Sequence, residues 1–311
     1  MTKGRVTIPT DESFVEGTKE IAMKWGADAA RDCDGTRLPA NAKELGKVYN
    51  TYFIVRGDNA WARLHPEEAQ RIFLLSERVL ATENRVKIPF MTGFLRDQFD
   101  PDYTELERWQ VYDRTTGELL PREAWKADEK KHEITIPKAK RMHEYTVSFL
   151  ARVTWHPVQV YNYITNNWTC EKQLTYDPAY PATKEYVKKH MREWCEQNPD
   201  TDVVRFTTFL YQFTLIFNEQ GKEKNVEWFG YAQTANLVLI DEFAKETGIQ
   251  LTAEDFIDNG YYNNAFRSPT DKFRKWQDFV ARFVSKTVRV LVDICHEYGK
   301  EAMMFLGDDW I

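Results

Sequence analysis

The feature that most restricts the fold of this chain is an alternation of strand and helix in its second half. The mostly apolar run Asp202–Phe206 predicts a buried strand. A long amphipathic helix is predicted over Asp271–Tyr298, with Gly299 placed to end it. The largely apolar run Glu301–Gly307 then predicts a strand that is buried on both faces. This order is typical of parallel βαβ units, so an α/β barrel or a doubly wound sheet is expected.

The first half of the chain mixes one helix with many strand-like runs. A helix is predicted over residues 11–26, which Gly26 closes in the left-handed conformation. Strands are predicted at Val48–Val55 and Arg71–Leu75, and a hairpin turns at Thr115–Gly117. The apolar side of the first helix is predicted to contain Phe14, Ile21, Ala22 and Trp25. We interpret the strand-like stretch from about residue 47 to 139 as β structure inserted into a core fold.

A strong strand at Glu144–Trp155 and a helix that begins at Pro181 add further units to the predicted barrel. A complete (β/α)8 barrel needs eight such units, and about five can be counted. The chain stops directly after the strand at Glu301–Gly307. We therefore expect residues 1–311 to form a partial TIM-like barrel, an N-terminal catalytic domain that is incomplete at its C-terminal end.

Composition and charge exclude several classes of function. The chain carries 42 basic and 48 acidic residues, a net charge of −6, so its overall field attracts neither nucleic acid nor an anionic membrane. Four dispersed cysteines, with no signal peptide and no long apolar run, predict a protein of the reducing cytoplasm. The histidine clusters lack the spacing of a metal site, and no nucleotide-binding motif occurs, so neither metal nor cofactor is expected.

The ends of the predicted strands nominate the functional residues, because α/β barrels carry their working side chains there. The nominated residues are Arg31 with Asp32, Asn162, Arg205 and Asp308. Two arginines, an amide and a carboxylate suit an anionic co-substrate together with a polyhydroxylated one.

Each nominated residue also has a structural interpretation. Arginines at strand ends often serve as partners in structural ion pairs. Asn162 is in a position to cap or turn a helix. Asp308 and Asp309 suit an N-cap, and adjacent strand-end side chains point in opposite directions, so at most one of the two is expected to face the barrel axis.

Several long segments resemble one family, the glycoside phosphorylases that act on galacto-N-biose and lacto-N-biose, with their galactosyl-rhamnose relatives. The segments are Trp25–Arg31, Met142–Leu150, Thr201–Phe209, Trp228–Gly230 and Gly299–Asp308. They are distributed over the whole chain and are far more specific than a short motif. The resemblance implies a partly broken (β/α)8 barrel related to β-galactosidases, with further domains downstream, and a possible homodimer.

The resemblance also implies a reaction and a role for each residue. Phosphate attacks the anomeric carbon of the galactosyl unit with inversion, giving α-galactose 1-phosphate and a free acceptor sugar. Asp308 resembles the general acid of the family. The residues that match substrate-binding positions are Asn162 and Arg205 for galactose and the anion, Arg31 as a further substrate-site arginine, and Val158 and Tyr231 near the acceptor. Valine at position 158 favours an N-acetylhexosamine over rhamnose.

The chemistry that this resemblance implies agrees with the residues found at the strand ends. An inverting hydrolase needs two carboxylates, whereas a phosphorylase needs one acid plus cations that orient the phosphate. Burial and nearby phosphate are expected to raise the pKa of Asp308, an effect that Arg205 opposes. Two alternatives stay open on the sequence: a β-galactosidase-like hydrolase, and a sugar-binding relic without activity.

Overall fold

The computed structural model describes residues 6–12, 15–32, 37–155, 171–206, 210–211, 214–227, 234–263 and 267–304. Its helices are α1 (Val15–Trp25), α2 (Asn59–Leu64), α3 (Pro181–Gln197), α4 (Leu237–Thr247), α5 (Ala253–Ile257) and α6 (Asp271–Glu297). Its strands are β1 (Thr7–Pro9), β2 (Ala29–Arg31), β3 (Lys47–Tyr52), β4 (Arg71–Leu75), β5 (Val79–Leu80), β6 (Val86–Pro89), β7 (Phe99–Pro101), β8 (Gln110–Asp113), β9 (Glu118–Leu119), β10 (Lys126–Asp128), β11 (Glu133–Ile136), β12 (Glu144–Trp155), β13 (Gln173–Leu174), β14 (Val203–Phe206), β15 (Thr214–Phe217), β16 (Glu223–Glu227) and β17 (Glu301–Met304).

A five-stranded parallel sheet forms the centre of the α/β part. Its strands lie in the order β1, β2, β3, β14 and β17, and every neighbouring pair is parallel. Helices α3 and α6 pack together, and α6 also packs on β17. The ring of Tyr52 in β3 makes T-shaped contacts with the rings of Trp194 in α3 and Phe206 in β14. The predicted parallel α/β architecture is therefore confirmed.

Two predictions about this sheet were wrong. The run Val48–Val55 was interpreted as part of the inserted β structure, but β3 pairs with β2 and β14 in the parallel sheet. The run from Glu301 was expected to be buried on both faces, but in β17 Glu301 is exposed and Met303 is 39% exposed. Within the described part of the chain β17 lies at the edge of its sheet.

The inserted β structure is a seven-stranded sheet built around β12. This strand has the predicted bounds, but it pairs antiparallel with β4, β5, β7, β8 and β13. The interpretation of Glu144–Trp155 as a barrel strand was therefore wrong. The predicted hairpin is confirmed, because β8 and β9 pair and Gly117 has a φ of +76° in the turn. Strands β6, β10 and β11 form a smaller antiparallel sheet.

The amphipathic patterns identify the buried side of one long helix and fail for a shorter one. Helical spacing predicts an apolar side of α6 that contains Phe273, Trp276, Val280, Phe283, Thr287, Leu291, Ile294 and Tyr298. Most of these are buried, and the buried residues of α6 are Phe273, Trp276, Phe279, Val280, Val284, Val288, Leu291, Ile294 and Cys295. In α1, Ala22 is buried, but Ile21 is 37% and Trp25 is 66% exposed, so the predicted side was partly wrong. No helix in the described ranges is long and apolar enough to span a bilayer.

Among the glycines with a built Cβ in the described part of the chain, Gly46, which leads into β3, shows the closest approach to another atom, so its replacement should cost most. Its φ is +121°, and a Cβ built there lies 2.0 Å from the carbonyl oxygen of Asp28. Gly26 ends α1 with a φ of +64°, as predicted, and nothing lies within 4 Å of its built Cβ. We expect G26A to cost about 1 kcal/mol in free energy of unfolding, for the left-handed backbone alone. G46A should cost about 3 kcal/mol or more, because the backbone at position 46 must also move away from the carbonyl group of Asp28 to make room for the new Cβ.

Urea unfolding of the two variants beside the wild type measures both costs. Equal losses in G46A and G26A would contradict the close approach of Gly46 to Asp28.

Candidate functional site

Two arginines share one face of the parallel sheet at the carboxyl ends of its strands. In the strand register Arg31 lies opposite Tyr49, and Thr51 lies opposite Arg205. Tyr49 and Thr51 are two residues apart on β3, so their side chains point to the same face. Arg31 and Arg205 therefore also point to that face, as expected for residues that act on one ligand. This is the edge at which α/β folds bind their substrates.

A chain of hydrogen bonds fixes the Arg205 guanidinium in place. Its Nη1 donates to Thr51 Oγ1 at 3.0 Å and to the Asp32 carbonyl oxygen at 3.2 Å. The Thr51 hydroxyl in turn donates to Asp32 Oδ1 at 2.7 Å, and the Thr51 backbone N–H donates to the same oxygen at 2.9 Å. All three side chains are buried, with Arg205 and Asp32 each 7% exposed. The position and orientation of the guanidinium are thus set before any ligand binds.

Arg31 brings a second guanidinium to the same place. Its side chain is half-buried, and Nη1 lies 3.5 Å from the Asp32 carbonyl oxygen that Arg205 also contacts. Two guanidinium groups converge on one oxygen beside the single carboxylate of Asp32, so these three side chains carry an excess of one positive charge at the strand ends. Such a region favours an anion with several acceptor oxygens, and arginine recognises phosphate well because its donors form a planar fork.

The other nominated residues, Asp308, Asn162, Val158 and Tyr231, lie outside the described residues. Asp308 follows β17 in the chain, and β17 pairs with β14, the strand that carries Arg205. Within the described part of the chain, no three His, Cys, Asp or Glu side chains are grouped to hold a metal ion.

Thr51 is the residue that sequence reasoning missed. It was passed over because the run around it was assigned to the inserted β structure and not to the barrel. Its position near the end of a strand was the available signal, since a barrel strand directs its terminal side chains towards the site.

A buried carboxylate anchors the connection that follows β14. Tyr211, in that connection, donates a hydrogen bond from its hydroxyl to Asp177 Oδ1, and the backbone N–H of Ala179 donates to the same oxygen at 3.0 Å. Asp177 is completely buried. Burial raises the pKa of Asp177 to about 6, although Tyr211, Ala179, Asn236 and Arg71 all act in the opposite direction. A carboxyl that titrates close to neutrality thus lies against the strand-end connection.

The five-stranded parallel sheet and the two arginines at its strand ends together describe an α/β domain with a cationic cluster at the carboxyl ends of its strands. The sequence model described as the lacto-N-biose phosphorylase N-terminal TIM barrel domain matches residues 4–311. The chain therefore belongs to the lacto-N-biose phosphorylase family. This membership confirms the predicted barrel class, of which the structure describes five parallel strands.

Three relatives give the extent of the similarity. A 1,3-beta-galactosyl-N-acetylhexosamine phosphorylase of Lachnoclostridium phytofermentans is 49% identical over 99% of this chain and 43% of its own length. One of Bifidobacterium longum subsp. longum is 46% identical over 99% of this chain and 42% of its own length. A D-galactosyl-beta-1->4-L-rhamnose phosphorylase of L. phytofermentans is 37% identical over 100% of this chain and 44% of its own length. The chain spans less than half of the length of these relatives.

The raised pKa of Asp177 predicts how this residue affects stability as the pH changes. The unfolded chain releases the proton near the ordinary value of 3.8, and the folded chain releases it only near 6. The contribution of Asp177 to the free energy of unfolding therefore falls as the pH rises through this window. D177N keeps the shape and has no proton to lose. Relative to the wild type, its free energy of unfolding should rise by up to about 3 kcal/mol between about pH 4 and pH 7.

Urea unfolding of both proteins at the two pH values tests this expectation, because the other titrating groups are common to both. A difference between the proteins that does not change with pH would rule out the raised pKa.

Proposed function

We propose that this domain supplies the catalytic site of an inverting phosphorylase. It splits β-galactosyl disaccharides of the galacto-N-biose and lacto-N-biose type with inorganic phosphate, and releases α-D-galactose 1-phosphate and N-acetylhexosamine. The single observation that carries the proposal is the convergence of Arg205 and Arg31 on the Asp32 carbonyl oxygen at the strand ends. Family membership and relatives that are named as phosphorylases of such sugars support it.

Phosphate is the nucleophile in this reaction, and the arginines bind and orient it. A phosphate oxygen forms a bond to the anomeric carbon from the face opposite the leaving sugar, so the β linkage becomes an α linkage. The bond between this carbon and the glycosidic oxygen breaks, and the electron pair stays on that oxygen. Asp308 donates its proton to the same oxygen, so the acceptor sugar leaves as a neutral alcohol.

The remaining residues divide between the two sugars. We assign Asn162 to the galactosyl unit, and Val158 and Tyr231 to the acceptor sugar, because these residues match the substrate-binding positions of the family. Asp308 must be protonated before the reaction, so we expect burial and the nearby phosphate to raise its pKa. No cofactor is needed besides the co-substrate phosphate. We place the enzyme in the cytoplasm, as a homodimer that acts on small molecules.

An N-acetylhexosamine acceptor is favoured over rhamnose. The relatives named as N-acetylhexosamine phosphorylases are 44–49% identical to this chain, and the rhamnose enzyme is 37% identical. A β-galactosidase-like hydrolase would use water in place of phosphate, so the identity of the galactosyl product separates the two reactions.

A product assay on the full-length protein tests the reaction class. With lacto-N-biose and phosphate we expect galactose 1-phosphate, and without phosphate we expect almost no cleavage. D308N should reduce the rate by at least about a thousandfold, because it removes the proton donor. Free galactose as the main product would establish hydrolysis, and wild-type rates in D308N would refute the role of Asp308.

A pair of variants at Thr51 tests whether the fixed Arg205 binds phosphate. T51V removes the hydroxyl that accepts from Arg205 and keeps the shape, whereas T51S keeps the hydroxyl. One hydrogen bond to a charged group is worth about 1.5 kcal/mol, so the KM for phosphate should rise about tenfold in T51V. The KM for the disaccharide should change less than about twofold, and T51S should resemble the wild type. An unchanged KM for phosphate in T51V would contradict the proposed phosphate site.

A further inference from the structure

Two cysteines lie in the interface between the long helices α3 and α6. Cys195 is in the last turn of α3, and Cys295 is in the last turn of α6. Both are free thiols, and they are 2% and 0% exposed. The Cys295 thiol donates a hydrogen bond to the Cys195 sulfur, so the two sulfur atoms face each other across the interface. Two thiols within hydrogen-bond reach need little movement to form a disulfide.

Polar contacts beside the pair hold the ends of the two helices together. The Arg192 guanidinium forms an ion pair with Glu297, and the Tyr298 hydroxyl donates to Glu196 Oε1 at 2.6 Å. Each of these residues lies within three positions of one of the two cysteines. These contacts and the packing of α3 on α6 therefore keep the two sulfur atoms opposite each other.

The surroundings of Cys195 favour its thiolate, which is the reactive form of cysteine. The hydrogen bond from Cys295 lowers the pKa of Cys195, and the charges of Lys300 and Arg192 act in the same direction, although burial and Glu196 oppose them. Lys300 is buried and donates from Nζ to two carbonyl oxygens in the chain that follows α3, at 2.7 and 2.9 Å. The same hydrogen bond and burial raise the pKa of Cys295. Cys195 is thus the thiol that reacts first.

The pair lies at the edge of the parallel sheet opposite to Arg205. Helix α3 leads into β14 and α6 leads into β17, so the last turns of both helices lie where these two strands begin. Arg205 is near the other end of β14. The surface is close, because Glu196 and His296 are exposed. A molecule as small as hydrogen peroxide therefore needs only a small opening of the helix ends to reach the sulfur atoms.

We propose that Cys195 and Cys295 form a redox-sensitive pair, which a peroxide converts to a disulfide that joins α3 to α6. The Cys195 thiolate attacks one oxygen of the peroxide, the O–O bond breaks, and Cys195 becomes a sulfenic acid while the other oxygen leaves as hydroxide. The Cys295 sulfur then attacks the Cys195 sulfur, the S–O bond breaks, and the departing hydroxide takes the Cys295 proton. Two thiols and one hydrogen peroxide thus give one disulfide and two water molecules. A dithiol reductant reverses the reaction by thiol–disulfide exchange.

This disulfide should stabilise the folded domain. It closes a loop of about 100 residues, and a long loop removes more entropy from the unfolded chain than a short one. We expect the melting temperature to rise by about 5 °C on oxidation, and a dithiol reductant to restore the original value. The inference does not depend on the proposed function.

The test treats the full-length wild type with hydrogen peroxide under native conditions, blocks the remaining thiols, and identifies the tryptic peptides by mass spectrometry without reduction. We expect peptide 193–205 to be linked to peptide 290–300, and the link to be lost on reduction. Calorimetry of the same samples, before and after reduction, measures the change in melting temperature.

Serine variants provide matched controls. C195S and C295S each retain one thiol of the pair, so peroxide should not raise their melting temperatures, and they report its effect on all other residues. The double variant C33S/C170S keeps the pair and should behave as the wild type.

Three outcomes would overturn the inference. The first is a wild type in which peroxide produces no link between the two peptides, and the second is a link from either cysteine to Cys33 or Cys170 in its place. The third is a linked protein whose melting temperature does not rise above that of C295S under the same treatment. Should the serine variants fail to fold, the linked peptides of the wild type and the reversal of its melting temperature by a dithiol decide alone.

Discussion

The hydrogen-bond chain from Arg205 through Thr51 to Asp32 is the interaction on which the site depends. It crosses three neighbouring parallel strands at their carboxyl ends, and each group in it is buried. A register slip of one residue in β3 would turn Thr51 to the opposite face and leave the Arg205 guanidinium and the Asp32 carboxylate without it. Buried polar groups are costly without hydrogen-bond partners, so the register of the sheet and the geometry of the site cannot change independently.

The antiparallel sheet around β12 is joined to the parallel sheet that carries this site, because Arg56, which follows β3, stacks on Trp155 at the end of β12. Its strands pack against an aromatic core in which the ring centres of Phe90 and Phe149 lie 4.7 Å apart. Buried charged side chains link the ends of neighbouring elements. Arg56 joins the ends of β3 and β12, and Asp177 joins the connection after β14 to the start of α3. Rigid elements with loops fixed by buried polar contacts are what a precise binding site requires.

Local patterns predicted elements well and their partners poorly. The bounds of β4 and β12, the start of α3 at Pro181 and the left-handed Gly26 all follow from the sequence, because each depends on residues close in the chain. The assignment of β3 to the inserted β structure was wrong, because a strand-like run of residues has the same local pattern whether the strand joins a parallel or an antiparallel sheet. Helical spacing placed Ile21 and Trp25 on the predicted buried side of α1, but both are exposed, because burial depends on which neighbouring elements cover that side.

The sequence by itself determined the α/β class, the family and the nomination of Arg31 and Arg205, because these rest on periodicity and on long matching segments. The tertiary structure decided that both arginines point to one face and approach one carbonyl oxygen, and that Thr51 and Arg56 belong to the same edge. The physical reason is that strand order and register are set by packing between distant segments. No local pattern encodes which strands become neighbours.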